Sequence, residues 1–205
     1  MNKVVCGMLC VFTLTACASK PTVTEFQCKA GDWETIGFRD GANGLQSTRL
    51  LDHQEACGEF SIVPDRNRYM TGWHTGMTEF CKPDNGFALG EQGKRIQPIC
   101  QGKWRIPFAE AYDNGRKLYQ ARREVDSIRK RIQKNESRQA QIKQELIDLT
   151  AEQLDTSLTP DVRLHMMSQM EALTQERETL KHQIPILEEQ LYDSEFRLEK
   201  LNQAF

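Results

Sequence analysis

Two hydrophobic stripes run along the C-terminal half of the chain. Leu118, Val125, Ile132, Gln139 and Leu146 recur every seven residues, with Ala121, Ile128, Asn135, Ile142 and Leu149 interleaved. From residue 166 the pattern resumes as Met166, Leu173, Leu180, Leu187, Ser194 and Leu201, interleaved with Met170, Arg177, Ile184, Leu191, Leu198 and Phe205. Positions spaced alternately by three and four share one helical face, and held over several heptads they predict a coiled-coil seam in each arm. Between the arms lies D-T-S-L-T-P-D, where Thr159 suits a helix N-cap, Pro160 the first helical position and Asp161 the positive end of the helix dipole. The arms therefore fold antiparallel about Ser157 and Leu158, giving a hairpin over 118–205 and a rod about 60 Å long at the α-helical rise.

A symmetric turn at that point sets Leu149 beside Met166, Ile142 beside Leu173 and Ile128 beside Leu187. It also brings Gln139 to Arg177 as a polar layer that fixes register. Charge agrees. The basic run from Arg122 to Lys143 is set against Glu176, Glu178, Glu188, Glu189 and Asp193, which favours the hairpin over pairing of like arms from two chains. The run is read as a solvated flank rather than a polyanion or lipid-headgroup site. Pro185 lacks a backbone donor and is expected to bend the second arm.

Upstream the composition changes. All three tryptophans and most glycines precede Gly115, after which the chain has no glycine. Residues 28–117 are read as a small helical head. Gly37-Phe38-Arg39-Asp40-Gly41 recurs as Gly72-Trp73-His74-Thr75-Gly76, and Gly37, Gly41 and Gly44, like Gly72 and Gly76, fall on one face of a helix. Glycine costs a helix about 1 kcal/mol relative to alanine, so the stripe predicts close helix approach. The alternative use of such glycines is to admit a ligand, with Asp40, Trp73 and His74 as candidate binding residues. The pattern predicts helices near 33–44, 47–57 and 65–81, then a turn at Lys82-Pro83-Asp84-Asn85-Gly86 and an irregular Gly-rich loop ending at Cys100.

The first residues show a different pattern. One cation, Lys3, is followed by uncharged residues from Val4 to Ala16 and then by polar Ser19 and Lys20. A run this short reads as a secretion signal and not as a span, which needs about 18 apolar residues. Leu14-Thr15-Ala16-Cys17 resembles the lipobox of bacterial lipoproteins. The resemblance implies a signal peptide over 1–16, a diacylglyceryl group (and palmitate label) on Cys17, and a tether over 17–27. Ala18, where an aspartate would retain the protein at the inner membrane, implies sorting to the cell outer membrane on its periplasmic face. Ordinary secretion with nearby cleavage is the alternative.

Of seven cysteines, Cys6 and Cys10 would leave with the signal and Cys17 would be acylated, leaving Cys28, Cys57, Cys81 and Cys100. An even set in an oxidising compartment predicts two disulfide bonds with three connectivities open. Short antiparallel helices return Cys57 to Cys28 and leave Cys81-Cys100 to close the Gly-rich loop, so that pairing is favoured. His53 and Cys57, four apart, could hold zinc, but no pair has the C-x-x-C spacing, and neither metal nor cofactor is expected. The net charge of −2 argues against nucleic acid as a partner. No nucleophile-elbow, metalloprotease or phosphate-loop motif is present, so no enzymatic activity is expected.

The segments C-K-A-G-D-W-E-T-I-G-F-R-D-G, Y-M-T-G-W-H-T-G-M and F-C-K-P-D-N-G-F-A-L-G-E-Q-G resemble a family of bacterial envelope lipoproteins known as domain of unknown function 2799. The resemblance covers about Cys28 to Tyr119, implies an envelope location and supplies no catalytic residue. The reading is thus a mainly α chain with a small disulfide-bonded helical head, a Gly-rich loop and a long antiparallel coiled-coil hairpin. Its expected role is structural or protein-interacting, a lipid-anchored protein whose coiled coil engages a periplasmic envelope partner. The alternative is a head that binds or processes a small envelope ligand such as a cell-wall sugar or peptide.

Overall fold

The computed structural model describes residues 22–205, so the signal over 1–16, Cys17 and the rest of the tether's first part, 17–21, lie outside the described residues. Every regular element within them is helical. Two compact units are present, 22–77 and 78–205.

The first unit holds α1 (Glu25–Ala30), α2 (Trp33–Ala42), α3 (Arg49–Gly58) and most of α4 (Arg66–Phe80). Local chemistry sets the boundaries. Thr24 and Gln27 form a reciprocal capping box on α1, and the Asp32 side chain accepts from Thr35 N to start α2. Cys28 and Cys57 are joined, tying α1 to the end of α3. The glycines of α2 and α4 meet as expected. A Cβ on Gly37 would overlap the Tyr69 carbonyl oxygen, one on Gly41 that of Trp73, one on Gly72 that of Glu34 and one on Gly76 that of Phe38. Gly44 is not part of this contact: α2 ends at Ala42, and Gly44 takes the left-handed region at φ 74° while Leu45 N returns to Asp40 O.

In the second unit the expected irregular stretch after Cys81 is corrected to a helix, α5 (Pro83–Glu91). Pro83, read as a turn residue, sits at the first helical turn, where its missing N–H costs nothing. Gly86 and Gly90 are helical too, pressed against the Phe108 and Tyr112 carbonyls of α6 (Arg105–Glu152), while Gly115 of α6 meets the Phe87 carbonyl. The crossing of α2 and α4 is thus repeated in kind by α5 and α6. Of the expected loop, the stretch from 92 to 100 stays irregular; it ends at Cys100, which is bonded to Cys81. Phe80 and Phe108 stack beside that bond with ring centroids 5.5 Å apart.

The hairpin is formed by α6 and α7 (Pro160–Ala204), of 48 and 45 residues. Thr159 caps α7 and Pro160 starts it. The seam matches the heptads: Leu118, Val125, Ile128 and Ile142 are buried on α6, and Met166, Leu187 and Ser194 on α7. Phe205 is exposed to solvent by half, with its ring 6.0 Å from Phe87 of α5. Helix α7 runs unbroken past Pro185.

Candidate functional site

The two arms are joined by polar contacts across the seam. Asn135 donates to Gln183 at 3.3 Å, Arg138 holds Glu176 through Nε and Nη2 at 2.8 Å each, Arg129 pairs with Glu195 at 2.6 Å and Arg197 with Glu124 at 2.8 Å. A symmetric turn would set Asn135 against residue 180 and Arg138 against residue 177, so the observed partners lie three residues beyond and one residue short of those positions. The Arg163 guanidinium donates to the carbonyls of Gln153, Asp155 and Leu158, folding the 153–159 segment against the first turn of α7. Close to the expected Gln139–Arg177 layer, side-chain bonds across the arms are made by Asn135 with Gln183 and by Arg138 with Glu176.

The hydrogen bonds of Arg138 hold the Glu176 carboxyl below its usual range. This exposed pair therefore contributes above the ordinary carboxylate pKa and is lost as pH falls through the lowered one.

At the turn end the hairpin displays apolar surface. Leu154, Leu164 and Met167 are 80%, 68% and 60% exposed, whereas Met166 in the seam beneath is buried. A groove of about 470 Å³ lies between the arms there, with Leu149, Ala172 and Leu173 as its apolar part and Glu145, Asp148 and Glu152 as its acidic side.

In the first unit the candidate Asp40 is buried in a chain of polar groups. His53 Nε2 donates to Asp40 Oδ2 at 2.7 Å and the Tyr69 hydroxyl donates to the same oxygen at 2.9 Å. With the imidazole proton on Nε2, Nδ1 accepts from the Thr22 hydroxyl at 2.7 Å. Hydroxyl, imidazole and carboxylate stand in the order that activates a nucleophile. However, the His53 and Asp40 side chains are 1% and 7% exposed, so solvent and solutes do not reach the acid–base pair. Its evident work is to tie Thr22, α3, α2 and α4 together.

Trp73 is buried with its indole N–H donating to Leu45 O at 2.8 Å, and exposed His74 meets the Trp73 ring edge-on at 5.2 Å. Trp73 and His74 are thus brought together, while Asp40 turns to His53 and Tyr69. The zinc alternative for His53 and Cys57 is overturned, since Cys57 is in a disulfide and His53 is hydrogen-bonded through both nitrogens. The sequence signal for His53 was its place on one face of α3 with Leu50 and Cys57, which marks a buried position.

Tyr69 has a pH consequence. Burial first, then the neighbouring Asp40 carboxylate, push its phenol far above the ordinary value of 10.0. The folded state keeps this proton where the unfolded chain loses it. Its stabilisation is complete below about pH 10 and erodes as pH rises further. Denaturant midpoints measured across the alkaline range should fall less steeply for Tyr69→Phe than for the wild type.

The first unit is thus a helical body with one glycine crossing and one disulfide, and the second has another of each and extends into a coiled-coil hairpin. Residues 32–117 match the family described as Protein of unknown function (DUF2799). The matched segment takes in the glycines of both crossings, and it stops in α6 before the hairpin's first buried seam residue, Leu118. No curated protein and no solved structure matches the chain.

Proposed function

We propose that this is an envelope lipoprotein whose helical hairpin docks on a protein partner. In this reading a lipid on Cys17 holds it at the outer membrane, facing the periplasm. The observation that carries the docking role is the exposure of Leu154, Leu164 and Met167 around the turn, beside a groove that is part apolar and part acidic. Ile186, Tyr192 and Phe196 are also exposed farther along α7, but Leu154, Leu164 and Met167 lie beside the groove at the turn, and exposed apolar surface next to a groove marks interaction sites. The anchor is supported by the Leu14-Thr15-Ala16-Cys17 motif, and two disulfides suit an oxidising compartment. No helix of the described residues is long and apolar enough to cross a membrane, so the lipid supplies the attachment in this reading.

Two measurements test the proposal separately. Radiolabelled palmitate should enter the wild-type chain and not Cys17→Ser; label persisting in the variant would refute the anchor. For the docking role, the combined Leu154→Glu, Leu164→Glu and Met167→Glu variant should remain helical and acylated. On native electrophoresis after mild solubilisation it should nevertheless lose the larger complex formed by the wild type. An unchanged complex would refute the docking role.

A further inference from the structure

The second unit contains a cavity that the hairpin reading does not use. The irregular stretch from 92 to 101 is pinned to its surroundings at both ends. Near its start Tyr112 donates its hydroxyl to Lys94 O at 2.7 Å and Arg116 donates to Gly93 O at 3.3 Å. At its end Cys100 is bonded to Cys81, and Ile99 beside it is buried. Residues 95–98 therefore arch over the first turns of α6 and leave a half-open cavity of about 400 Å³ beneath. The walls are apolar where Ile96, Pro98, Phe108 and the Tyr112 ring line it, and Arg105 and Asp113 line it from two points on the same helix.

The charges matter because neither is used internally. Arg105 and Asp113 are exposed, and neither takes part in an ion pair among the described residues. Eight residues of α-helix separate them by about 12 Å along the axis, and three residues of extended peptide span about 10 Å. A guanidinium can take a carboxylate in two parallel hydrogen bonds, and a carboxylate can accept from an ammonium. A volume of this size falls within the range of small-ligand sites, in which apolar walls supply contact and a few polar groups fix orientation.

We propose that this cavity binds short peptides with free ends. The peptide's α-carboxylate lies on Arg105, its α-ammonium on Asp113, and a central apolar side chain enters between Ile96, Pro98 and Phe108. This site is separate from Asp40, Trp73 and His74, and it stands whether or not the hairpin has a partner.

The probe is the tripeptide alanyl-leucyl-alanine, titrated calorimetrically into the full chain in detergent and compared with its N-acetylated and its C-amidated forms. The free tripeptide should bind saturably, and blocking either end should weaken it by about tenfold, the factor expected for loss of about 1.4 kcal/mol. Arg105→Gln should abolish the discrimination against the amide and keep that against the acetyl form; Asp113→Asn should do the reverse. Both positions are exposed, so the variants are expected to fold. Absence of saturable binding would overturn the proposal, as would blocked peptides that bind as well as the free one, or end-group discrimination that survives in both variants.

Discussion

Gly37→Val will destabilise the first unit by about 3 kcal/mol or more, read as a drop in the denaturant midpoint. At this crossing α2 and α4 approach so closely that even a methyl group would overlap the Tyr69 carbonyl oxygen, which belongs to α4's own hydrogen-bonded backbone and cannot turn aside. The helices must separate, and the buried Trp33, Ile36 and Trp73 lose contact with them. The matched control is Gly58→Ala at the end of α3, where a Cβ meets nothing within 4 Å. There the lower unfolded-state entropy of alanine should leave stability unchanged or raise it by up to about 1 kcal/mol. If the two substitutions cost the same, the close crossing is not what holds the unit together.

The second large effect belongs to the buried polar chain. Asp40→Ala removes the common acceptor of His53 Nε2 and the Tyr69 hydroxyl, leaving two donors in a site closed to water. Each buried donor left without an acceptor costs about 1–3 kcal/mol, because its desolvation is no longer offset. Tyr69→Phe removes one donor and leaves the His53 bond, so it should cost about 1 kcal/mol. Chemical unfolding of the three proteins checks the order: wild type most stable, then Tyr69→Phe, then Asp40→Ala. Equal midpoints for Asp40→Ala and the wild type would show that the cluster contributes nothing.

The hairpin was legible because its information is local and periodic. Each of Val125, Ile142, Met166 and Leu187 lies where its heptad puts it, and the cap at Thr159 lies where Pro160 marks it. The turn itself was less legible, since the Arg163 guanidinium holds it through three hydrogen bonds to loop carbonyls, which no periodicity encodes. In the head, Gly37, Gly41, Gly72 and Gly76 announced a helix crossing by their spacing. Gly86 and Gly90 have the same spacing, but Pro83 and Asn85 beside them look like turn chemistry. Tertiary contact with α6 outweighs that local preference. Disulfide pairing followed from helix order and is as expected for both bonds. The buried chain of Thr22, His53, Asp40 and Tyr69 joins residues up to 31 apart in sequence across one contact, and only a folded chain reveals it.

The family segment ends where the hairpin seam begins, so the features shared through that segment and the long arms can be tested apart. Site-specific photocrosslinking in living cells does this most directly. One probe replaces Leu154 at the turn of the hairpin, and another replaces Phe26, which is about as exposed but lies on α1. A discrete protein adduct from position 154, and none from position 26, is the predicted result. Adducts from position 26 with none from 154, at equal expression, would contradict the assignment of partner binding to the hairpin.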